Sequence, residues 1–252
     1  MSALRVERDG PVLRVTLAKP ERRNAFDAAL IAELTVAFDD IGDARAVVLA
    51  GEGESFCAGA DIEWQRAAID LTYEENVEDA LRLYRMCEAI DACPAPVVAR
   101  IQGYCLGGGC GLAACADIAL AGEDAKFGFS EVKLGIIPAV ISPFVLPRTG
   151  SAARRYFLTG ERFDAQTALR IGLVSEVAAD LDGAVERVVG ELLTSGPEAV
   201  RAAKQLIRER PGGEQAALIA ASLRAGDEGQ DGLRAFLDKR DAPWHKGTRP
   251  SR

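Results

Sequence analysis

Histidine is almost absent from this sequence of 252 residues, which contains one copy, His245, in the polar segment 244–247. A histidine in such a polar tail is predicted to lie at the surface rather than to take part in catalysis. Serine–histidine and cysteine–histidine nucleophilic chemistry therefore has little support, and so have metal sites built on histidine. No metal ligand set is predicted.

Paired cysteine motifs are also missing. The six cysteines lie at positions 57, 87, 93, 105, 110 and 115, and none of them forms a CxxC pair. Most have Ala, Gly or Leu as neighbours, as is typical of buried small apolar residues. The cysteines are therefore predicted to be structural thiols.

Long apolar runs are absent as well. No run approaches the roughly 20 residues that a membrane helix needs, and the N-terminus lacks the pattern of a secretory signal peptide. The expected location is the cytoplasm, with no membrane partner. A net charge of −8 argues against a nucleic-acid partner, and an anionic ligand would need a local basic patch.

The hydrophobic pattern alternates short strands with helices over the first part of the chain. Strands are predicted at 4–7, 12–17, 47–49 and 97–101, and helices at about 28–41 and 77–90. From Ser151 onward the pattern is nearly all helical, with Asp164 capping a helix over 165–171. These patterns predict a mixed α/β protein with a helical C-terminal region, large enough to bury a sizeable core.

Two segments carry the strongest chemical signal. The first, 104–112, reads YCLGGGCGL, and the second, 127–131, reads FGFSE and ends in Glu131. Glycines let the backbone approach a ligand closely, so a triple glycine before a helix can aim N–H groups at a developing negative charge. This pairing predicts an oxyanion site facing a carboxylate. A plain tight turn is the alternative for the glycines.

Three further segments extend this pattern along the chain: 19–26 (KPERRNAF), 55–62 (SFCAGADI) and 134–138 (LGIIP). In order and separation, all these segments resemble the crotonase family of enoyl-CoA hydratases and isomerases, over nearly the whole chain. The resemblance implies an α/β fold, a crotonase-like spiral of repeated ββα units with a helical C-terminal region. It places a spiral core with an acyl-CoA site at 1–190. The region 191–252 would serve oligomerisation and closure over coenzyme A.

The resemblance also implies the partners and the catalytic groups. The expected partner is an acyl-CoA substrate. No cofactor is expected, because coenzyme A enters as part of the substrate, and the assembly would be a homotrimer or a dimer of trimers. The backbone amides of Ala60 and Gly108 would stabilise the enolate oxygen, and Glu131 would exchange protons with substrate or water. Otherwise Glu131 is a helix-start or surface glutamate.

One position departs from the family pattern. Hydratases of this family commonly have a second glutamate just after the Gly-Gly-Gly-Cys run, where this chain has Gly111. A single carboxylate fits hydration by Glu131 alone, isomerisation with Glu131 as the proton shuttle, or a non-catalytic acyl-CoA-binding protein. Gly111 is expected to enlarge the pocket. With the segment 138–143 (PAVISP), it is similar to hydratases of branched or carboxylated enoyl-CoAs.

The resemblance further implies the residues that bind coenzyme A. Phosphates would meet two arginines, the pantetheine arm an alanine, the adenine the segment 58–62, and a C-terminal helix would close over the nucleotide. The candidates are Arg22, Arg23, Ala25, Ala58, Asp61, Ile62, Phe236 and Lys239. The alternative is a solvated basic face with Phe236 in the core.

Overall fold

Nine β-strands and eleven α-helices make up the described part of the chain, residues 2–245 of a computed structural model. The strands are β1 Leu4–Asp9, β2 Val12–Leu17, β3 Ala46–Gly51, β4 Val97–Ile101, β5 Tyr104–Leu106, β6 Ile118–Gly122, β7 Lys126–Gly128, β8 Arg162–Asp164 and β9 Glu176–Ala178. The helices are α1 Ala28–Asp39, α2 Ile62–Ala67, α3 Tyr73–Ala92, α4 Gly108–Cys115, α5 Ser142–Thr149, α6 Ala153–Thr159, α7 Ala165–Arg170, α8 Leu181–Leu193, α9 Pro197–Glu209, α10 Gly213–Ala225 and α11 Asp227–Leu237.

The strands form two sheets. The larger has the order β1-β2-β3-β4-β6-β9, parallel except for the β1–β2 hairpin, and the smaller has the order β5-β7-β8. In successive turns of the chain, one strand joins the large sheet and the next joins the small one, as β4 and β5 do, followed by β6 and β7. This repetition stacks equivalent segments of the chain side by side.

Both faces of the large sheet are covered, as parallel sheets require. Val47, Leu49 and Val97 point into the main core with the helices α1, α3 and α4. Residues of alternate register, such as Val48 and Val98, pack against α8 in a second cluster. The period of two along each strand therefore separates the two cores.

Three stacked segments bring their carboxyl ends to one place. Cys57 forms a parallel bridge with Cys105 of β5, and β5 is parallel to β7. The chain leaves these segments at 58–60, at Gly107 and at 129–131 respectively. Because parallel segments end at the same edge, the three exits meet there, where ligands bind in open α/β sheets.

The expected mixed α/β architecture with a helical C-terminal region is confirmed. Asp27 and Asp164 cap α1 and α7 through their side chains. Other boundaries differ from the prediction, because polar runs concealed α2 and the first turns of α3, where Thr72 and Glu75 form a capping box. The short strands β8 and β9 also interrupt the region predicted to be nearly all helix. The division at residue 190 stays a prediction, and 246–252 lie outside the described residues.

All six cysteines are buried and unpaired, as predicted. Burial raises the pKa of the Cys57 thiol to about 12, so this thiol is not a nucleophile at neutral pH. Within residues 2–245, no helix is both long and apolar enough to cross a membrane.

Candidate active site

A cleft of about 300 Å³ opens where the three chain exits meet. Ala58, Gly59 and Ala60 line it from the first exit, Gly107 and Gly108 from the second, and Ser130 and Glu131 from the third. The opposite wall comes from α2, α3 and the segment 134–141. The structure thus brings together the three residues predicted to be catalytic, Ala60, Gly108 and Glu131.

The amides of Ala60 and Gly108 are available to a ligand. Phe26 forms a parallel bridge with Ala60 by bonding Gly59 and Asp61, which turns the N–H of Ala60 to the other side. Gly108 begins α4, where the first N–H groups of a helix have no intrahelical acceptor. In the described part of the chain, neither N–H donates to a protein acceptor.

Gly107 shapes the contact between α4 and Glu131. Its φ of 51° and ψ of −118° lie in a region open mainly to glycine, and a Cβ built there would lie 3.0 Å from Oε1 of Glu131. A glycine is therefore needed at this position for two reasons, the backbone conformation and the approach of the carboxylate. This observation supports a close-approach role for the triple glycine.

Glu131 lies in the 3₁₀ segment Ser130–Leu134, half-buried at the cleft wall. Its Oε2 atom is buried, and no hydrogen-bond donor of residues 2–245 reaches it. Burial raises the pKa of the carboxyl, and a hydrogen bond from its own backbone N–H offsets this only in part. The carboxylate therefore holds a proton more tightly than a surface glutamate does.

Gly111 does not enlarge the cleft, so the sequence-based expectation at this position is wrong. A Cβ built on Gly111 would lie 2.4 Å from Cγ2 of Ile141, and Ile141 itself lines the cleft. Gly111 is buried, and the Sγ of Cys87 lies 3.9 Å from the same point. The space that a larger residue 111 would take is filled by the isoleucine.

The helix α3 contributes a wall that the sequence analysis missed. Asn76, Asp79, Ala80 and Leu83 all line the cleft. Their spacing of three, one and three residues places them on one face of the helix. The same spacing is visible in the sequence, but the polar residues concealed it because a buried stripe is expected to be apolar.

The predicted coenzyme A residues of the N-terminal part are only partly at the cleft. Ala58 lines the cleft. Ala25 is buried and does not line it, although its neighbour in the chain, Phe26, does. Asp61 is 5% exposed and fully engaged, because Oδ2 accepts a bond of 2.9 Å from Arg22 and Oδ1 caps α2 at Glu63. Its pKa lies below the ordinary value, chiefly because of the Arg22 hydrogen bond.

The remaining coenzyme A candidates are exposed. Arg23 stacks over the Tyr104 ring at 5.2 Å, and Ile62 on the first turn of α2 is 74% exposed. Phe236 of α11 is 80% exposed, so the alternative that placed it in the core is wrong. Lys239 follows α11 at the surface, and neither residue lines the cleft of its own chain.

His245 lies outside the cleft, and 27% of its side chain is exposed. Its Nε2 lies 2.6 Å from the carbonyl oxygen of Thr194. Across the described residues, no group of three or more His, Cys, Asp or Glu side chains could hold a metal ion.

Known proteins resemble this chain over nearly its whole length. Residues 7–247 match the family described as enoyl-CoA hydratase/isomerase. The 2,3-dehydroadipyl-CoA hydratase of Escherichia coli is 34% identical, over 98% of this chain and 100% of its own. The cyclohexa-1,5-dienecarbonyl-CoA hydratase of Thauera aromatica is 34% identical, over 95% of each chain. The crystal structure of an enoyl-CoA hydratase from Shewanella pealeana superimposes with a TM-score of 0.91 at 37% identity, covering 96% of both chains. The fold expected from the sequence is thereby confirmed.

Proposed function

The chain belongs to the enoyl-CoA hydratase/isomerase family, and from this membership we propose that its cleft adds water to 2-enoyl-CoA thioesters. Glu131 would act as base and then as acid, and the amides of Ala60 and Gly108 would bind the thioester oxygen. The observation that carries the proposal is the meeting of two unpaired N–H groups and the half-buried carboxylate of Glu131 in a single cleft.

The two amides match the charge that develops in such a reaction. When a nucleophile adds at Cβ, the thioester carbonyl becomes enolate-like and its oxygen gains negative charge. Fixed N–H donors stabilise this state more than the ground state. Loss of one such donor typically costs a factor of roughly a hundred to a thousand in rate.

The environment of Glu131 suits proton exchange. In its ionised form the carboxylate takes a proton from water as the hydroxide oxygen bonds to Cβ. The same carboxyl then returns a proton to Cα, so that the thioester gains one water and the enzyme is restored. A raised pKa makes the carboxylate a better base and keeps the intermediate acid protonated until Cα accepts the proton.

Isomerisation is the second candidate, and the contact between Gly111 and Ile141 favours it. Because the isoleucine occupies the space next to residue 111, no second carboxylate faces the substrate from α4. Glu131 could then remove a proton from Cα of a β,γ-enoyl thioester and return it to Cγ. The same two amides would stabilise the dienolate oxygen.

Coenzyme A would lie at the side of the cleft formed by Ala58, with Ala25 and Ile62 nearby. Arg22 and Arg23 are exposed cations that can meet phosphates, although Arg22 also pairs with Asp61. Asp61 would act by holding Arg22 and the start of α2, since both of its oxygens are already engaged. No cofactor besides the substrate's coenzyme A takes part in the proposed reaction.

The C-terminal residues would act between chains. Phe236 and Lys239 do not line the cleft of their own chain, and the apolar ring of Phe236 is exposed. We assign them to contact with a nucleotide bound by a neighbouring copy in a homotrimer or a dimer of trimers. The cytoplasm is the proposed location.

A panel of thioesters tests the proposed reaction. Crotonyl-CoA, a branched 2-enoyl-CoA and a β,γ-enoyl-CoA are incubated with the protein, and products are separated by chromatography, which resolves the isomers, and identified by mass. Hydration adds the mass of water, whereas isomerisation changes the double-bond position without a change of mass. Conversion of none of these thioesters, combined with tight binding, would instead identify a non-catalytic acyl-CoA-binding protein.

A further inference from the structure

Asp79 presents a carboxylate to the cleft without a partner. It lies on α3 and lines the cleft, and no hydrogen bond or ion pair within residues 2–245 engages its side chain. The neighbouring Glu78, in contrast, pairs with Arg82 and Arg85 and does not line the cleft. A structural role in salt bridging therefore explains Glu78 but not Asp79.

The cleft contains no compensating positive charge. Among its described lining residues, Asp79 and Glu131 are the charged ones, and Lys, Arg and His are absent. The other polar side chains of the lining are neutral and belong to Gln65, Asn76 and Ser130. A carboxylate on a ligand in this space therefore meets two carboxyl side chains and no cationic side chain.

The position of Asp79 along α3 relates it to the acyl chain. Leu83 lies one turn after Asp79 on the same face and also lines the cleft, whereas Cys87, one turn farther along the helix, is buried. Asp79 and Leu83 are therefore about 6 Å apart along the helix axis. An acyl chain that passes Leu83 thus reaches the carboxylate.

We propose that Asp79 determines specificity by rejecting acyl-CoAs whose acyl chain ends in a carboxylate and by admitting neutral chains. This inference rests on the proposed acyl-CoA function of the cleft. It departs from the carboxylated acyl group that the sequence suggested and from the substrate in the name of the Escherichia coli relative. The physical cause is repulsion between two like charges in a cleft that offers no cation to either.

Binding of unreactive ligands tests the inference apart from catalysis. Dissociation constants are measured by calorimetry for hexanoyl-CoA and adipyl-CoA, and for octanoyl-CoA and suberyl-CoA. We expect the dicarboxylic member of each pair to bind roughly five- to fiftyfold more weakly, given repulsion at effective dielectric constants between those of water and a protein surface. Added salt should reduce this difference in dissociation constant, because it screens the repulsion between the two carboxylates.

Two matched variants isolate the carboxylate. Asp79→Asn retains the shape and removes the charge, and it should reduce the difference within each pair to less than about threefold. Glu78→Gln removes the same charge one residue away, outside the cleft, and should leave the difference unchanged. An unaltered difference in Asp79→Asn, or an equal effect of Glu78→Gln, would overturn the inference.

The same measurements separate this inference from the proposed reaction. If neutral enoyl-CoAs are hydrated but Asp79→Asn leaves the binding ratio unchanged, the reaction stands and the specificity role is wrong. If no enoyl-CoA is converted but the ratio shifts in Asp79→Asn, the specificity role stands and the reaction is wrong.

Discussion

The Cγ2 methyl of Ile141 lies 2.4 Å from the point where a Cβ on Gly111 would be. Real Cβ atoms do not approach another carbon so closely, so the two residues exclude any side chain at 111 while the isoleucine stays in place. Gly111 and Ile141 act as a pair: the glycine on α4 leaves space, and the isoleucine before α5 fills it. The Ile141 side chain therefore occupies the space that the side chain of a second glutamate at position 111 would take.

The pair can be tested by restoring the carboxylate. Gly111→Glu alone should lower the free energy of unfolding by about 1–3 kcal/mol, because it overpacks a buried position. In combination with Ile141→Ala, the carboxylate should gain room, and hydration of crotonyl-CoA should rise severalfold above that of Ile141→Ala alone. Urea unfolding and kcat/KM provide the two readouts. An equal kcat/KM for crotonyl-CoA in Ile141→Ala and in the double variant would mean that residue 111 does not face the reacting carbons.

Glu131→Gln should abolish turnover while acyl-CoA binding persists. The amide has nearly the same shape but cannot take up the proton, so the rate should fall by a factor of about 100 to 10,000. Kd for a saturated acyl-CoA should change little. Glu123→Gln, which alters an exposed glutamate, is the control and should retain full activity. Native turnover in Glu131→Gln would remove this residue from the mechanism.

The raised pKa of Glu131 predicts a pH-dependent difference in stability. Burial opposes ionisation in the folded state, so the contribution of Glu131 to the stability of the wild type is fully present below the ordinary value of 4.5 and is lost as pH rises through the higher folded value. Glu131→Gln does not titrate at this position. Its free energy of unfolding relative to wild type should therefore rise with pH over this window, as measured by urea denaturation. A difference that stays constant or falls with pH would contradict the assignment.

Gly107 should not tolerate substitution by alanine, for a reason that does not apply to Gly150. The two glycines have similar conformations, with φ of 51° and 52°, but only Gly107 would place a Cβ against Glu131, whereas Gly150 has open space. Both alanine variants should lose roughly 1–3 kcal/mol of stability from backbone strain. Gly107→Ala should also lower kcat, and Gly150→Ala should not. Similar kcat values in the two folded variants would argue against a close contact between residue 107 and the carboxylate.

Local signals in the sequence predicted several parts of the fold correctly. Asp164 is predicted to cap a helix because an aspartate just before an apolar helical pattern commonly accepts a hydrogen bond from the first turn, and the structure confirms this cap. The meeting of Ala60, Gly108 and Glu131 followed from family resemblance, and the structure gives its physical basis in three parallel segments with aligned ends. Their catalytic roles stay a proposal.

The helix α3 shows where local patterns fail. Its first turns are polar, and the sequence predicts a helix only from about residue 77, although Thr72 and Glu75 form a capping box before it. The cleft face runs from Asn76 to Leu83 and changes from polar to apolar, so neither a uniform apolar stripe nor a solvent face describes it. The residue pattern of a helix that lines a cleft reflects contacts with the ligand as well as packing against the core.

The sequence by itself determined the alternation of strands and helices, the burial of the cysteines and the segments that carry the active-site residues. These depend on backbone preference and on periodicity within one element. Only the tertiary structure decided that Ile141 fills the space beside Gly111 and that Asp79 faces the cleft unpaired. Both relationships join elements that are distant in the chain, and close packing between such elements decides which side chain takes a given space.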